Sequence, residues 1–326
     1  MRPHRVAAPR YPLSGIALLA FAGALAAVMH AGAADWVEKP FDPPPGSRWI
    51  IQSEETSEDD NDGRSQTSAS KTTSELTFGE KTTDGFVISI VERAASYDGD
   101  ARRGAVVSAF SKALQDVVIR GTVAADGTPR SVDNLDEVHD AVRAAIDRLT
   151  ESMADKPQVA SITRDLATRV LISDAQRAPQ VYLGALLVLA RGQNTGLRPG
   201  ETRSTVEDVP NPLSGTPIKS NNTSRIERAD PATGDVRYIR TVSANGDSVK
   251  EFLRSLAGRF AGTDKTPQQL DDFLQQFAMT IDSRSEIEVE GGMTRAVHEE
   301  DTATVTLRDH TVTKRAHKQL TVAPAP

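Results

Sequence analysis

The residues that could do chemistry fall in a few short runs. Glu58, Asp60, Asp62 and Gly63 stand at the first, third, fifth and sixth places of a calcium-loop template. That template asks for Asp at its first position and a bidentate Glu at its twelfth, where this chain has Glu58 and Ala69. The run Glu58-Asp59-Asp60-Asn61-Asp62-Gly63 therefore reads as a solvated hairpin turn. His298-Glu299-Glu300-Asp301 offers a ligand beside three carboxylates, but sequence neighbours on a strand point to opposite faces, and a charged turn between two strands is expected there. His139 falls on the flank of a helix and reads as a surface or boundary histidine. His310 and His317, with Lys314, Arg315 and Lys318, read as a solvated, basic edge strand.

Covalent and phosphate chemistry find no support. Pro212-Leu213-Ser214-Gly215 lacks the preceding glycine and the strand-to-helix setting of a nucleophile elbow. Gly121 to Gly127 reads as a hairpin, not as a phosphate loop opening a helix. The chain has no Cys, so thiolate metal sites and thiol nucleophiles are excluded. The reading assigns no catalytic, cofactor-binding or metal-ligating residue, and the expected protein is not an enzyme.

The elements that would position any site alternate between Thr-rich strands and amphipathic helices. Arg48 to Glu55, the stretch ending at Leu76 and Phe78, and Phe86 to Val91 predict three strands separated by Asn-Asp-Gly and Asp-Gly turns. A helix with Val106, Val107, Phe110 and Leu114 inward follows, then a strand over Val117 to Val123. Asn134 and Glu137 form a capping box ahead of the stripe Leu135, Val138, Val142, Ile146 and Leu149. A second helix places Val159, Ile162, Leu166 and Val170 inward, and a third runs to about Leu189. Beyond the loop at Gly192 to Gly200 the order repeats. Strands are expected at Thr202 to Val206, Ile218 to Arg228 and Val236 to Val242. Helices with Phe252 and Leu256, then Phe273 and Phe277, inward come next, followed by closing strands around Ile287, Val297 and Thr302 to Val312.

The first 34 residues are set apart from this pattern. Arg2, Arg5 and Arg10 precede an apolar run from Leu13 to Met29, and Ala31-Gly32-Ala33 follows as a small-x-small cleavage site, the layout of a secretory signal peptide. No Cys follows, so an acylated N-terminus is not expected. Cleavage after Ala34 removes three arginines and no acid, which moves the formal charge from −7 to −10. So acidic a chain does not suit nucleic acid or an anionic bilayer, and membrane contact is expected only through the signal peptide. The expected organisation is a signal peptide at 1–34, a Pro-rich lead-in at 35–46, α+β halves at 47–196 and 197–322, and a disordered tail at 323–326.

The export signal, the polar-alternating strands, the Asp-Gly hairpin leading to Asn134-Leu135-Asp136-Glu137, and Leu197-Arg198-Pro199-Gly200-Glu201-Thr202 opening a second strand-rich half resemble bacterial envelope proteins. At a distance they are similar to curved-sheet lipoprotein carriers of the LolA and LppX type, although the lipid-anchoring Cys common there is missing. The resemblance implies an open half-barrel packed on helices that binds an acyl chain in its concavity. The expected fold class is α+β, with curved antiparallel sheets built from two similar halves and packed on helices. The expected role is an exported, periplasmic or secreted, non-enzymatic protein holding a lipid-like or other apolar ligand between sheet and helices. The alternative is a structural or protein-interaction module of the envelope, and a hydrolase is the least supported reading. The sequence does not set the oligomeric state.

Overall fold

The computed structural model describes residues 39–100, 111–190 apart from 113 and 116, 192, 195–209, 218–230, 232–244, 246, 248–251, 254, 277–307 and 310–326. The signal peptide, Ser214, and most of the helices expected around Phe252 and Phe273 lie outside these residues. The strands are β1 (Arg48–Asn61), β2 (Arg64–Thr82), β3 (Gly85–Asp98), β4 (Ile119–Ala124), β5 (Pro129–Val132), β6 (Thr202–Val209), β7 (Ile218–Asp230), β8 (Asp235–Ala244), β9 (Phe277–Glu290), β10 (Met293–Leu307) and β11 (His310–Pro324). Between β5 and β6 lie helices α1 (Leu135–Glu151), α2 (Pro157–Leu171) and α3 (Ala178–Tyr182), a 3₁₀ turn, and α4 (Leu187–Ala190).

The strands join in one antiparallel sheet of order β5-β4-β3-β2-β1-β11-β10-β9-β8-β7-β6. This corrects the expected α+β arrangement of several sheets dominated by their packing on helices. Charge explains much of the difference. Of the acidic run read as a hairpin turn, Asp62 and Gly63 form the β1–β2 turn, while Glu58 to Asn61 extend β1 and pair with the basic β11 read as an edge strand. Glu55 faces Lys318 and Asp59 faces Lys314 in register, and Arg315 Nη1 reaches Glu58 Oε2 at 3.9 Å. Opposite charges directly across an antiparallel ladder favour that pairing. The two ends of the folded chain are thereby zipped together at the centre of the sheet, and Ala323 and Pro324, expected in a disordered tail, complete β11 opposite Ile50 and Trp49.

One face of the sheet is apolar near the ends of β2–β3, β4–β5 and β9–β10. Trp49, Ile51, Leu76, Phe78, Ile88, Ile90, Val123, Ile226, Tyr238, Ile287, Val297 and Leu320 are buried there, in one cluster with Val138, Val142 and Ile146 of α1 and with Leu183, Leu186 and Leu189. The sheet must curl to allow this. Strands β4 and β10 are five ladder steps apart, about 24 Å in a flat sheet. Yet the Leu189 carbonyl accepts a hydrogen bond from Thr294 Oγ1 on β10 at 3.3 Å, while the Leu189 Cβ lies 3.4 Å from where a side chain on Gly127, in the β4–β5 turn, would begin. One leucine touches both, so the sheet wraps round the helical segment. Gly192 admits that segment to β9, because any side chain there would collide with Val289.

The helices depart from expectation in detail. The Asn134 side chain makes no capping hydrogen bond to the backbone of α1. Its amide instead accepts from the Arg120 N–H at 2.8 Å and donates to Val118 O at 2.8 Å, which ties the helix to β4; it also donates to Glu137 Oε2 at 2.8 Å. Ile162, expected inward on α2, is 68% exposed. The third helix is broken into α3, a 3₁₀ turn and α4.

Candidate functional site

The inner face of the curled sheet changes character along its strands, and the register shows where. At the apolar end, Leu320, Val297, Ile287, Tyr238 and Ile226 stand side by side across β11, β10, β9, β8 and β7. Two residues further along each strand, a polar belt crosses the same face: Glu55, Lys318, Glu299, Ser285, Arg240, Ser224 and Arg203, each the cross-strand neighbour of the next. Its buried members are satisfied by short side chains. Arg240, 6% exposed, donates from Nε to Asn222 Oδ1 at 2.9 Å and from Nη2 to Glu207 Oε2 at 3.2 Å, and Asn222 Nδ2 closes the triad on Glu207 Oε1 at 2.7 Å. Glu299, 5% exposed, accepts from Ser285 Oγ at 3.3 Å and Ser283 Oγ at 3.4 Å. Arg203 donates to the carbonyls of Thr195 and Gly196 at 2.8 and 2.9 Å, which fastens the loop before β6 to the belt.

Past the belt, towards the β1–β2 and β10–β11 turns, the inner face becomes apolar again and is only half-buried. Ala303 lies between Lys314 and Ile281, and Val305 between Val312 and Met279. All four of the apolar neighbours Ile281, Val305, Val312 and Met279 are half-buried. This far-end strip, with the belt beside it, is the candidate site.

The outer face is different. It carries a shallow trough of about 460 Å³ lined by Asn221, Thr223, Thr241, Ser243, Asp282, Arg284, Glu300 and Thr302 among others. Beside it Arg284 bonds Glu286 at 2.8 Å, Arg237 pairs with the same carboxylate, and the two guanidinium groups hold the Glu286 carboxyl below the usual carboxylate range. Arg93 and Arg48 do the same to Glu75 at 2.7 and 2.6 Å. A face of threonines and ion pairs belongs against water, since a lipid-facing strand surface is an apolar band.

The chemistry-bearing residues of the sequence are spread apart by this fold. Within β10, His298 and Glu300 point outward while Glu299 and Asp301 point inward, so the run is a strand interior rather than a turn, and its four groups do not converge. In the acidic run, Asp60 Oδ1 accepts from Gly63 N–H at 2.9 Å and Glu58 from Ser65 Oγ at 2.7 Å. Asp62 binds His310 Nδ1 at 2.7 Å and the Thr311 N–H at 3.0 Å, which draws its carboxyl below the usual value and joins the β1–β2 and β10–β11 turns. His139, expected at the surface or at a boundary, is buried, with its ring 6.0 Å from that of Tyr182, whose hydroxyl donates to Leu171 O and is pushed up in pKa by burial. The sequence reading missed Arg240, Asn222 and Glu207. Their signal was an Arg at an inward position of β8 and an Asn diagonal to it on β7, visible only once the strands are paired.

No protein-family model and no curated protein matches the chain. Among solved structures it is similar to lipovitellin, at TM-score 0.41 and 8% identity, covering 87% of this chain and 26% of that one. It is also similar to an outer-membrane channel from Pseudomonas putida F1, at TM-score 0.18 and 8% identity over 90% of this chain and all of that one, and to the attachment protein Ail of Yersinia pestis, at TM-score 0.13 and 7% identity over 86% and 100%. The chain thus spans about a quarter of the lipovitellin chain, and likenesses this slight place it in no family. Among the described residues no helix is long and apolar enough to cross a membrane.

Proposed function

We propose that this is an exported, non-enzymatic protein of the bacterial envelope that holds an apolar ligand on the concave face of its sheet. The far-end strip carries the reading: Met279, Ile281, Val305 and Val312 form contiguous apolar surface on the inner side of a curled sheet and are still half-exposed. Apolar surface turned inward and only half-buried is what a ligand would cover, at a gain of about 25 cal/mol per Å². The belt at Arg240 and Glu299 would lie against the polar end of such a ligand. Export rests on the sequence of residues 1–34.

A second reading, a structural or interaction module with no small-molecule ligand, is favoured by the opposite end of the same face, where Phe78, Phe86, Leu183 and Leu189 fill the space. Titration of the purified chain with the apolar fluorophore N-phenyl-1-naphthylamine separates the two. Saturable binding that is lost in Val305→Asp supports the ligand reading. Absence of saturable binding by the folded chain supports the module.

A further inference from the structure

The apolar end of the concavity is closed by residues that belong to no helix or strand. Phe41, 4% exposed, sits in a cluster of three edge-on rings, 5.6 Å from Phe78 and 5.5 Å from Phe86. Its ring edge also lies 3.5 Å from where a side chain on Gly127 would begin. Pro43 is buried beside it, while Asp42, Pro44 and Pro45 face outward. The Pro40 carbonyl lies so close to Gly292, in the β9–β10 turn, that any side chain at 292 would collide with it. Residues 39–46 therefore run as a strap across the mouth of the curled sheet, from the β9–β10 turn to β2 and β3.

Within the strap Phe41 and Pro43 are buried, and the other residues of 39–46 are exposed. Asp42 pairs with Lys81 Nζ at 2.7 Å, both more than half exposed, and Lys81 stands 5.5 Å over the Phe86 ring. At its C-terminal end the Gly46 N–H donates to Phe78 O at 2.7 Å, with Gly46 at a φ of 78°. An exposed ion pair contributes little, at most about 1 kcal/mol. The proline-rich stretch is also stiff, so it loses little conformational freedom between seated and lifted positions. A phenyl ring thus plugs an apolar mouth from a segment that is neither helix nor strand.

We infer that Phe41 is a releasable plug, and that the pocket between Phe78, Phe86 and the β4–β5 turn is a second apolar site, which takes a ring or hydrocarbon chain of about phenyl width when the strap lifts. This site lies at the opposite end of the sheet from the far-end strip, so either can fail without the other.

The test is titration of the full chain and its variants with N-phenyl-1-naphthylamine, on a Val305→Asp background so that the strip does not contribute. Lys81→Glu places like charges across the strap's ion pair and leaves the core intact. It is expected to raise probe occupancy several-fold over the Val305→Asp parent, and Phe41→Ala is expected to raise it further. Leu183→Ala, which empties comparable core volume beneath a seated strap, serves as the control and is expected to stay near the parent level. Lys81→Glu and Phe41→Ala both at parent level, in chains that retain the native circular dichroism, would overturn the inference. So would a gain in Leu183→Ala equal to that in Phe41→Ala, since any cavity would then suffice. Loss of binding by the native chain in the earlier titration bears only on the strip.

Discussion

The two ends of the inner face are built from the same strands and solve different problems. At the strap end, every second residue of β1, β2, β3, β9 and β11 is a large hydrophobe, β10 adds Met293 and Val297, and helices and strap supply the matching side chains, so the surface is sealed. At the far end the same alternation continues, but with Ser57, Ser283, Asn222 and Asp301 next to the belt and then Ile281, Val305 and Met279, and the apolar groups stay half-exposed. The sealed end supplies stability. The polar, half-buried end gives up part of that stability, and in the proposed reading its apolar residues meet a ligand.

Several substitutions would break or sharpen this contrast. The largest effect is expected at the sealed end, where Phe78→Ala removes a fully buried ring that meets both Phe41 and Phe86, at a cost of about 3–5 kcal/mol in a denaturant melt. In the belt, Arg240→Ala leaves Glu207 and Asn222 without their cation and is expected to cost about 3 kcal/mol, whereas Arg240→Met combined with Glu207→Leu is expected to recover most of the loss, because a buried ion pair is replaceable by well-packed apolar groups. If the double replacement is as damaging as the single one, the belt does more than satisfy itself.

Acid should act through the outer face and the turns. The carboxyls of Glu75, Glu286, Asp62 and Asp235 all titrate lower in the folded chain than the ordinary values of 4.5 for Glu and 3.8 for Asp. Their contribution is fully present above those values and is lost as pH falls through the depressed folded values, so stability is expected to decline below about pH 4.5. Glu286→Gln should flatten that decline in melts taken between pH 3 and 5, in order-of-magnitude terms the usual window for carboxylate linkage. The smallest effect belongs to the exposed Lys71–Glu54 pair at 2.8 Å, where Lys71→Ala should change stability by less than about 1 kcal/mol.

How much of this could be read from residues alone depends on whether the information is local. Alternation at Leu76, Phe78, Phe86, Ile88 and Ile90 marked buried strands, and the stripe Val138, Val142, Ile146 and Leu149 marked the buried face of α1, because period and burial are both local properties. The single sheet was hidden because the pairing of β1 with β11 joins residues some 250 positions apart in sequence, through complementary charge that looks like a solvated turn in one strand and a solvated edge in the other. The belt was hidden for the same reason: Arg240, Asn222 and Glu207 are unremarkable singly and become a triad only in register. Ile162 misled because helical periodicity gives a face without saying that anything covers it.

Whether the concave face holds an apolar ligand is tested most directly by native mass spectrometry of the chain purified from the cells that make it. The account expects the mature chain to carry a bound apolar molecule that leaves as collision energy rises, and the Val305→Asp variant to arrive bare. A bare mass for the native chain at the gentlest settings that keep it folded would contradict it.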